Sequence, residues 1–167
     1  MILDDGGGPG LRAANGMDWA CVTDRVMGGV STGRLTRRSV DGRPALHLTG
    51  AVSLANNGGF VQMALDLAAP GNVLDASGFS GLLVTLRGNG ESYNIHLRSP
   101  DMTRVWQSWR ASITAPDHWT ETRIAFADFA PHRTDLPVNP ARLSRIGLVA
   151  IGREMQADLA LARLELV

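Results

Sequence analysis

Few residues in this chain carry groups suited to covalent or metal chemistry, and their spacing argues against most reactions. The four histidines, His47, His96, His118 and His132, have no i, i+4 partner and no HExxH context, so nothing indicates a zinc hydrolase. Ser31 and Ser53 lie in no Gly-x-Ser-x-Gly elbow. The pairs Gly28-Gly29 and Gly58-Gly59 are not phosphate cradles. A P-loop ends in Lys-Ser/Thr and this chain has no lysine, while a dinucleotide fingerprint needs three glycines at fixed spacing. Asp24 and Asp128 are the acids to watch, and both read first as turn or cap residues that bond nearby N–H groups. No second acid is singled out for glycoside hydrolysis. Cys21 stands alone, which excludes an internal disulfide and a multi-cysteine zinc site. A structural calcium held by loop carboxylates and carbonyls stays open without an EF-hand pattern, and no other cofactor is implied. What is left is two loops that present backbone N–H and amide groups, a surface that recognises rather than reacts.

The composition is that of an ordinary globular domain. Of 167 residues, 44% are hydrophobic and 19% charged, with a formal net charge of zero, a balance that folds but offers no basic excess for nucleic acid or an anionic membrane. Every basic residue is arginine, whose planar fork suits carboxylate, phosphate or carbonyl recognition. No run approaches the roughly 20 apolar residues of a membrane span. The stretch from Met1 to Gly10 is acidic and glycine-rich, unlike a secretory or transit signal. The expectation is a cytoplasmic, bacterial-type protein with a flexible leader over 1–15 and one domain over 16–167.

Short alternating runs separated by Gly, Pro, Asn and Asp predict strands near Trp19–Thr23, Arg34–Val40, Ala45–Thr49, Phe60–Leu67, Gly81–Arg87, Ser92–Arg98, Arg104–Thr114, Thr120–Ala125, Arg145–Ile151 and Leu159–Leu166. Such a series points to an all-β sandwich or barrel. Asp41-Gly42, Asn56-Asn57-Gly58-Gly59 and Ser99-Pro100-Asp101 are turns, and Gly88-Asn89-Gly90 is the clearest hairpin signal. The final segment is read as a strand that shifts face near Ala162, with a helix as the alternative. Short helices are expected around Phe126–Ala130 and Asn139–Ser144.

Alternation also sorts each strand into two faces. Tyr93, Ile95 and Leu97 face inward, leaving Asn94, His96 and Arg98 outside. Val105, Trp109, Ala111 and Ile113 face inward, leaving Trp106, Ser108, Arg110 and Ser112 outside, and Gln62 is outside between Val61 and Met63. The resulting patch of Gln62, Asn94, His96, Arg98, Trp106, Ser108 and Arg110 is the candidate binding site, with an exposed tryptophan between arginines as its platform for peptide or sugar. Trp19, Trp109 and Trp119 are assigned to packing.

Asp24-Arg25-Val26-Met27-Gly28-Gly29-Val30-Ser31 after Trp19, then Gly50-Ala51-Val52-Ser53-Leu54 with Asn56-Asn57-Gly58-Gly59-Phe60, resembles the complex I intermediate-associated protein family. Gly88-Asn89-Gly90 leading to Tyr93, the Trp119 to Phe129 segment, and Ile146-Gly147-Leu148 extend the likeness over nearly all of the chain after Met17. The resemblance implies a jelly-roll β-sandwich similar to galactose-binding and carbohydrate-binding modules. It also implies a non-catalytic, chaperone-like assembly factor that holds a protein partner such as a redox-complex assembly intermediate. Asp24, Met27, Gly28, Gly29, Asn57, Gly58, Gly59 and Phe60 would be the shared motif. Carbohydrate or small-metabolite binding in the same concavity is the alternative.

Overall fold

Strands with alternate apolar residues must each cover one face, and here two layers cover one another. The computed structural model describes residues 1–167. Its strands are β1 (Ile2–Asp4), β2 (Trp19–Thr23), β3 (Thr32–Val40), β4 (Arg43–Val52), β5 (Phe60–Asp66), β6 (Gly81–Gly88), β7 (Ser92–Arg98), β8 (Ser108–Thr114), β9 (Thr120–Ala125), β10 (Ala130–His132), β11 (Arg145–Ile151) and β12 (Met155–Leu166). The first sheet runs β3-β4-β12-β6-β9 with β1 also on β12, and the second runs β10-β8-β7-β11-β5-β2. All pairs are antiparallel. The expected β-sandwich is therefore present. Short 3₁₀ turns at Phe126–Asp128 and Pro140–Arg142 stand where short helices were expected. No helix is long and apolar enough to cross a membrane.

Between the layers, Leu46, Leu48, Leu86, Leu159 and Leu161 of the first sheet meet Met63, Leu65, Ile95, Leu97, Trp109 and Leu148 of the second. Met63, Leu65, Ile95, Leu97 and Trp109 sit at the inward parity that alternation predicted for their strands. The last strand is continuous, and its register slips between Leu161 and Arg163. That bulge at Ala162 explains why Leu159, Leu161, Leu164 and Leu166 keep no single parity yet are all buried.

Three expectations need correction. Gly88-Asn89-Gly90 closes no hairpin, because β6 and β7 belong to different sheets. Here the chain crosses between layers under a clamp, with Gly88 and Gly90 donating to Pro116 O and Ala115 O, and a Cβ on Gly88 would lie 2.6 Å from Asp158 O. Its glycine serves close approach rather than a two-residue turn. The strand expected from Arg104 begins only at Ser108, because residues 104–107 are closed by Gln107 N–H on Arg104 O (3.2 Å) and by Arg104 N–H on the Gln107 side chain (3.0 Å). Val105, expected inside, is 74% exposed.

The third correction concerns the amino terminus, which is part of the sheet rather than a loose leader. Leu3 joins the core and β1 pairs with β12. Asp4, 1% exposed, receives Trp19 Nε1–H (2.8 Å), Gly6 N–H (2.7 Å) and two N–H groups of Arg37 (3.0 and 3.3 Å). Arg37 in turn donates to Gly10 O and Arg12 O, so one guanidinium threads the whole segment onto β3. A buried carboxylate stripped of its cation is strongly destabilising. Arg37→Ala is expected to cost about 3 kcal/mol, a fall in melting temperature of roughly 6–12 °C. Asp4→Asn added to it should return part of the loss, whereas a mobile leader would leave thermal unfolding unchanged in both variants.

Candidate functional site

The two glycine motifs that stood out in the sequence meet at one carboxylate. Asp24 opens a 3₁₀ turn over Asp24–Met27 and is fully buried. Its oxygens accept Ser31 N–H (3.0 Å), Ser31 Oγ–H (2.5 Å), Gly59 N–H (2.5 Å) and Phe60 N–H (3.2 Å). Ser31 Oγ also accepts Ser53 N–H at 2.9 Å, so three segments are sewn together. A Cβ on Gly29 would meet this carboxylate, and one on Gly58 would lie 2.6 Å from Oδ2. Gly28 has φ +87°, which glycine adopts without cost. The motif residues Asp24, Gly28, Gly29, Gly58, Gly59 and Phe60 thus build a knot, with its polar atoms turned inward. Met27 projects from it, as do Val26, Val30 and Leu54, all exposed, while Asn57 sits in the left-handed region at φ 56°.

The outer face of the second sheet is a separate surface. Register aligns Arg110 with His96, His96 with Gly147 and Gly147 with Ala64, so the centre of the face has a floor without bulk. Gln62 lies flat across that floor, its Oε1 2.6 Å from where a Cβ on Gly147 would stand. Toward one end lie Asn94, Ser112 and Val149; toward the other Arg98, Arg145 and Asp66. A groove of about 500 Å³ is lined by Asn94, Arg110, Ser112, Asp128, Ile151 and Arg153 among others. No tryptophan or tyrosine lies on this face. Trp19, Trp109 and Tyr93 are in the core, and Trp119 lies against the other sheet's groove beneath the Arg43 guanidinium, 5.3 Å from its ring centroid.

Of the expected patch, Gln62, Asn94, His96, Arg98 and Arg110 share the face. Ser108 has that parity but is 3% exposed. Trp106 is not on the face at all; it sits in the loop between β7 and β8, 52% exposed, with Arg104 over its ring at 6.0 Å. The loops around Asn56–Phe60 and around Arg98–Arg110 lie at opposite ends of the sheet, since Phe60 pairs with Ile151 and Asp66 with Arg145. Six steps of ~3.4 Å separate those rows, ~20 Å in all, so the motif knot and the Arg98 end of the patch are two places, while Gln62 and Asn94 lie nearer the knot. Sequence reading missed Arg145, Arg153 and His132. Parity on the strand from Arg145 could have found the first; His132 lies on a three-residue strand containing Pro131, too short for alternation to show.

The titratable groups behave as parts of these two structures. Burial alone would raise the Asp24 carboxyl, but the hydrogen bonds from Ser31 Oγ and the Gly59, Ser31 and Phe60 N–H groups outweigh it and hold it below the ordinary 3.8. Burial, then the charges of His132, Arg110 and Arg98, pull His96 down to about 4. His132, whose ring centroid lies 6.1 Å from that of His96, is lowered by burial and by Arg110 and Arg133. Neither imidazole is placed against a carboxylate as a general base would be, and no group of three or more His, Cys, Asp or Glu side chains is arranged to hold a metal.

Asp24→Asn turns an amide N–H₂ toward backbone donors and is expected to cost roughly 2–4 kcal/mol, read as a lower urea midpoint. The contribution of the carboxylate is present above the ordinary pKa of 3.8 and is lost as pH falls below it. His96 acts in a different window. Its unfolded form takes up a proton from about pH 6.5 downward while the folded form waits until about 4, so stability should fall across that interval by roughly 3 kcal/mol. Urea unfolding of His96→Gln between pH 4 and 7 should show a flatter profile than the natural chain, and an equal slope would refute the assignment.

In fold, the chain is similar to carbohydrate-binding modules of Clostridium thermocellum. The family 11 module of cellulosomal cellulase Lic26A-Cel5E superposes with a TM-score of 0.76 at 14% identity, covering 100% of this chain and 93% of that one. A family 11 module solved with a β-1,3-1,4-mixed-linked tetrasaccharide gives 0.74 at 15% identity over 99% and 94%. The family 30 module of cellulosomal cellulase Cel9D-Cel44B gives 0.70 at 13% identity over 100% and 97%. At such identities the likeness shows a shared jelly-roll sandwich and nothing of ligand. No curated protein matches the chain in sequence. Residues 12–162, however, match the family described as complex I intermediate-associated protein 30, knot and both sheets included, and the chain belongs to that family.

Proposed function

We propose that this chain is a non-catalytic binding module that holds a protein partner, of the kind handled in assembly of a respiratory redox complex, on the outer face of its second sheet and the adjoining loop 99–107. The observation that carries the reading is the chemistry of that face. Guanidinium, imidazole and amide groups cover it, and no tryptophan or tyrosine offers a ring for a sugar to stack on. Arginine and tryptophan are the residue types that dominate protein-interface hot spots; Arg110 stands at the centre of the face, Arg98 at one end of it, and Trp106 in the loop beyond that end. Asp24, the most enclosed acid, has its oxygens engaged by four donors, which leaves it no part in proton transfer. The module in this reading needs no metal and no cofactor.

Carbohydrate binding is the second reading, favoured by the open groove along Asn94, Arg110 and Ser112 and by the tetrasaccharide complex of the family 11 neighbour. Two measurements separate the readings. In affinity purification from the native cell quantified by mass spectrometry, Trp106→Ala combined with Arg110→Ala should weaken capture of the co-purifying partner by roughly tenfold or more. Calorimetry with a mixed-linked β-glucan tetrasaccharide should show no heat of binding. Unchanged capture by the double variant would overturn the protein-binding reading, and saturable glucan binding would put the second in its place.

A further inference from the structure

One block of the second sheet's outer face carries two guanidiniums with which no carboxylate of the chain forms an ion pair, although its neighbours are paired. Across β7, β8 and β10, His96 stands opposite Arg110, and one row along Ser108 stands opposite His132. Continuing the antiparallel register brings Arg98 beside Ser108. The Ser108 hydroxyl has no partner although the residue is 3% exposed, and Nε2 of His96 is likewise sealed and unpartnered. Orphaned polar atoms at that depth are rare and need an explanation. The ion pairs around the block sharpen it. Arg145 is paired with Asp66, Arg153 with Glu91 and Arg142 with Asp101, whereas neither Arg98 nor Arg110 has a carboxylate partner. Asp128, the acid that lines the same groove as Arg110, is engaged by the N–H of Ala125 at 3.0 Å.

The block is joined to an apolar rim. Arg98 donates to the carbonyl of Val105, which fixes the loop that carries Val105 and Trp106, both large, apolar and exposed. Arg98 and the exposed aliphatic-aromatic pair therefore adjoin, and Arg110 stands one same-face row along on the neighbouring strand. A guanidinium fork binds a carboxylate through two parallel, charge-assisted hydrogen bonds, and the side chain next to that carboxylate in an extended peptide would reach the rim.

We propose that this block recognises a carboxylate on an acidic, extended segment of a protein partner, with Arg98 and Arg110 on the acid and Val105 and Trp106 on a neighbouring large apolar side chain. This assignment rests on the protein-binding reading above and narrows it to one chemistry.

The test uses the full chain on an array of octapeptides in which a Glu-Asp pair precedes two large apolar residues, the other positions being randomised, beside a twin array with Gln-Asn in place of the acids. The strongest binders are then measured by fluorescence anisotropy. The acidic peptides should bind roughly tenfold tighter than their amide twins, and Arg110→Gln should remove that margin. Arg110→Lys, which keeps the charge and loses the fork, should retain part of it; Trp106→Ala should weaken both sets; and Arg123→Gln, on β9 of the other sheet, should change nothing. Equal binding of acid and amide peptides, an Arg110→Gln variant that still discriminates, or tighter binding of inorganic phosphate than of the acidic peptides would overturn the assignment. If capture from the native cell depends on Arg110 and Trp106 while acid and amide peptides are held alike, protein binding stands and the carboxylate assignment alone falls. If capture ignores both residues, the broader reading falls with it.

Discussion

A carboxylate closed off from water and given no cation has to be satisfied by N–H and O–H donors, and at Asp24 that requirement fixes much of one end of the sandwich. Its donors come from its own loop and from a backbone segment 35 positions away. An unsatisfied buried acid would cost more than a single hydrogen bond returns, so the two loops hold their shape together or not at all. The glycines follow from this. At Gly29 and Gly58 the carboxylate occupies the space a side chain would need, so the constraint is steric as well as conformational.

The same end shows an inversion of the usual arrangement of polar and apolar groups. Charge is inside, and Val26, Met27, Val30 and Leu54 are outside, an order that burial energetics alone would not choose. The knot holds those side chains on a stiff support. At the amino terminus, Asp4 meets the equivalent problem differently, by pairing with Arg37 as well as with the Trp19 indole. The difference between the two acids has a consequence for the sheet. Asp4 ties a terminal strand onto an existing layer, whereas Asp24 shapes a corner where layers exchange strands.

Much of the fold was legible because the strands obey period two. Inward residues such as Tyr93, Ile95, Leu97, Trp109 and Ile113 were assigned from parity alone and lie in the core, and even the change of face near Ala162 was visible as a conflict among leucines. Failures occurred where local signals compete with tertiary ones. Gly88-Asn89-Gly90 carries a hairpin signature, but which strands pair is decided by the partners available across the sandwich. Trp106 has the parity of Ser108 and Arg110, yet parity is meaningful only inside a strand, and the strand had not started. Leu3 and Asp4 sit in a glycine-rich, acidic stretch that looks unstructured because their partners, Arg37 and β12, are far along the chain. The role of the glycine pairs was not readable: spacing says that glycines are demanded, and only the fold brings in the carboxylate that demands them.

The separation of knot from face bears on what family membership means here. Asp24 and the glycines around it are engaged with one another, at one end of the sheet, and so hold geometry rather than a ligand. The face they support is written by outward positions of β5, β7, β8 and β11, where any side chain of suitable size is compatible with the core beneath. A sandwich of this kind can therefore keep its corner while the side chains of its outer face vary without refolding. In this chain Arg98 and Arg110 lie on neighbouring strands, one same-face row apart, and neither has a carboxylate partner, a configuration that a negatively charged partner would relieve.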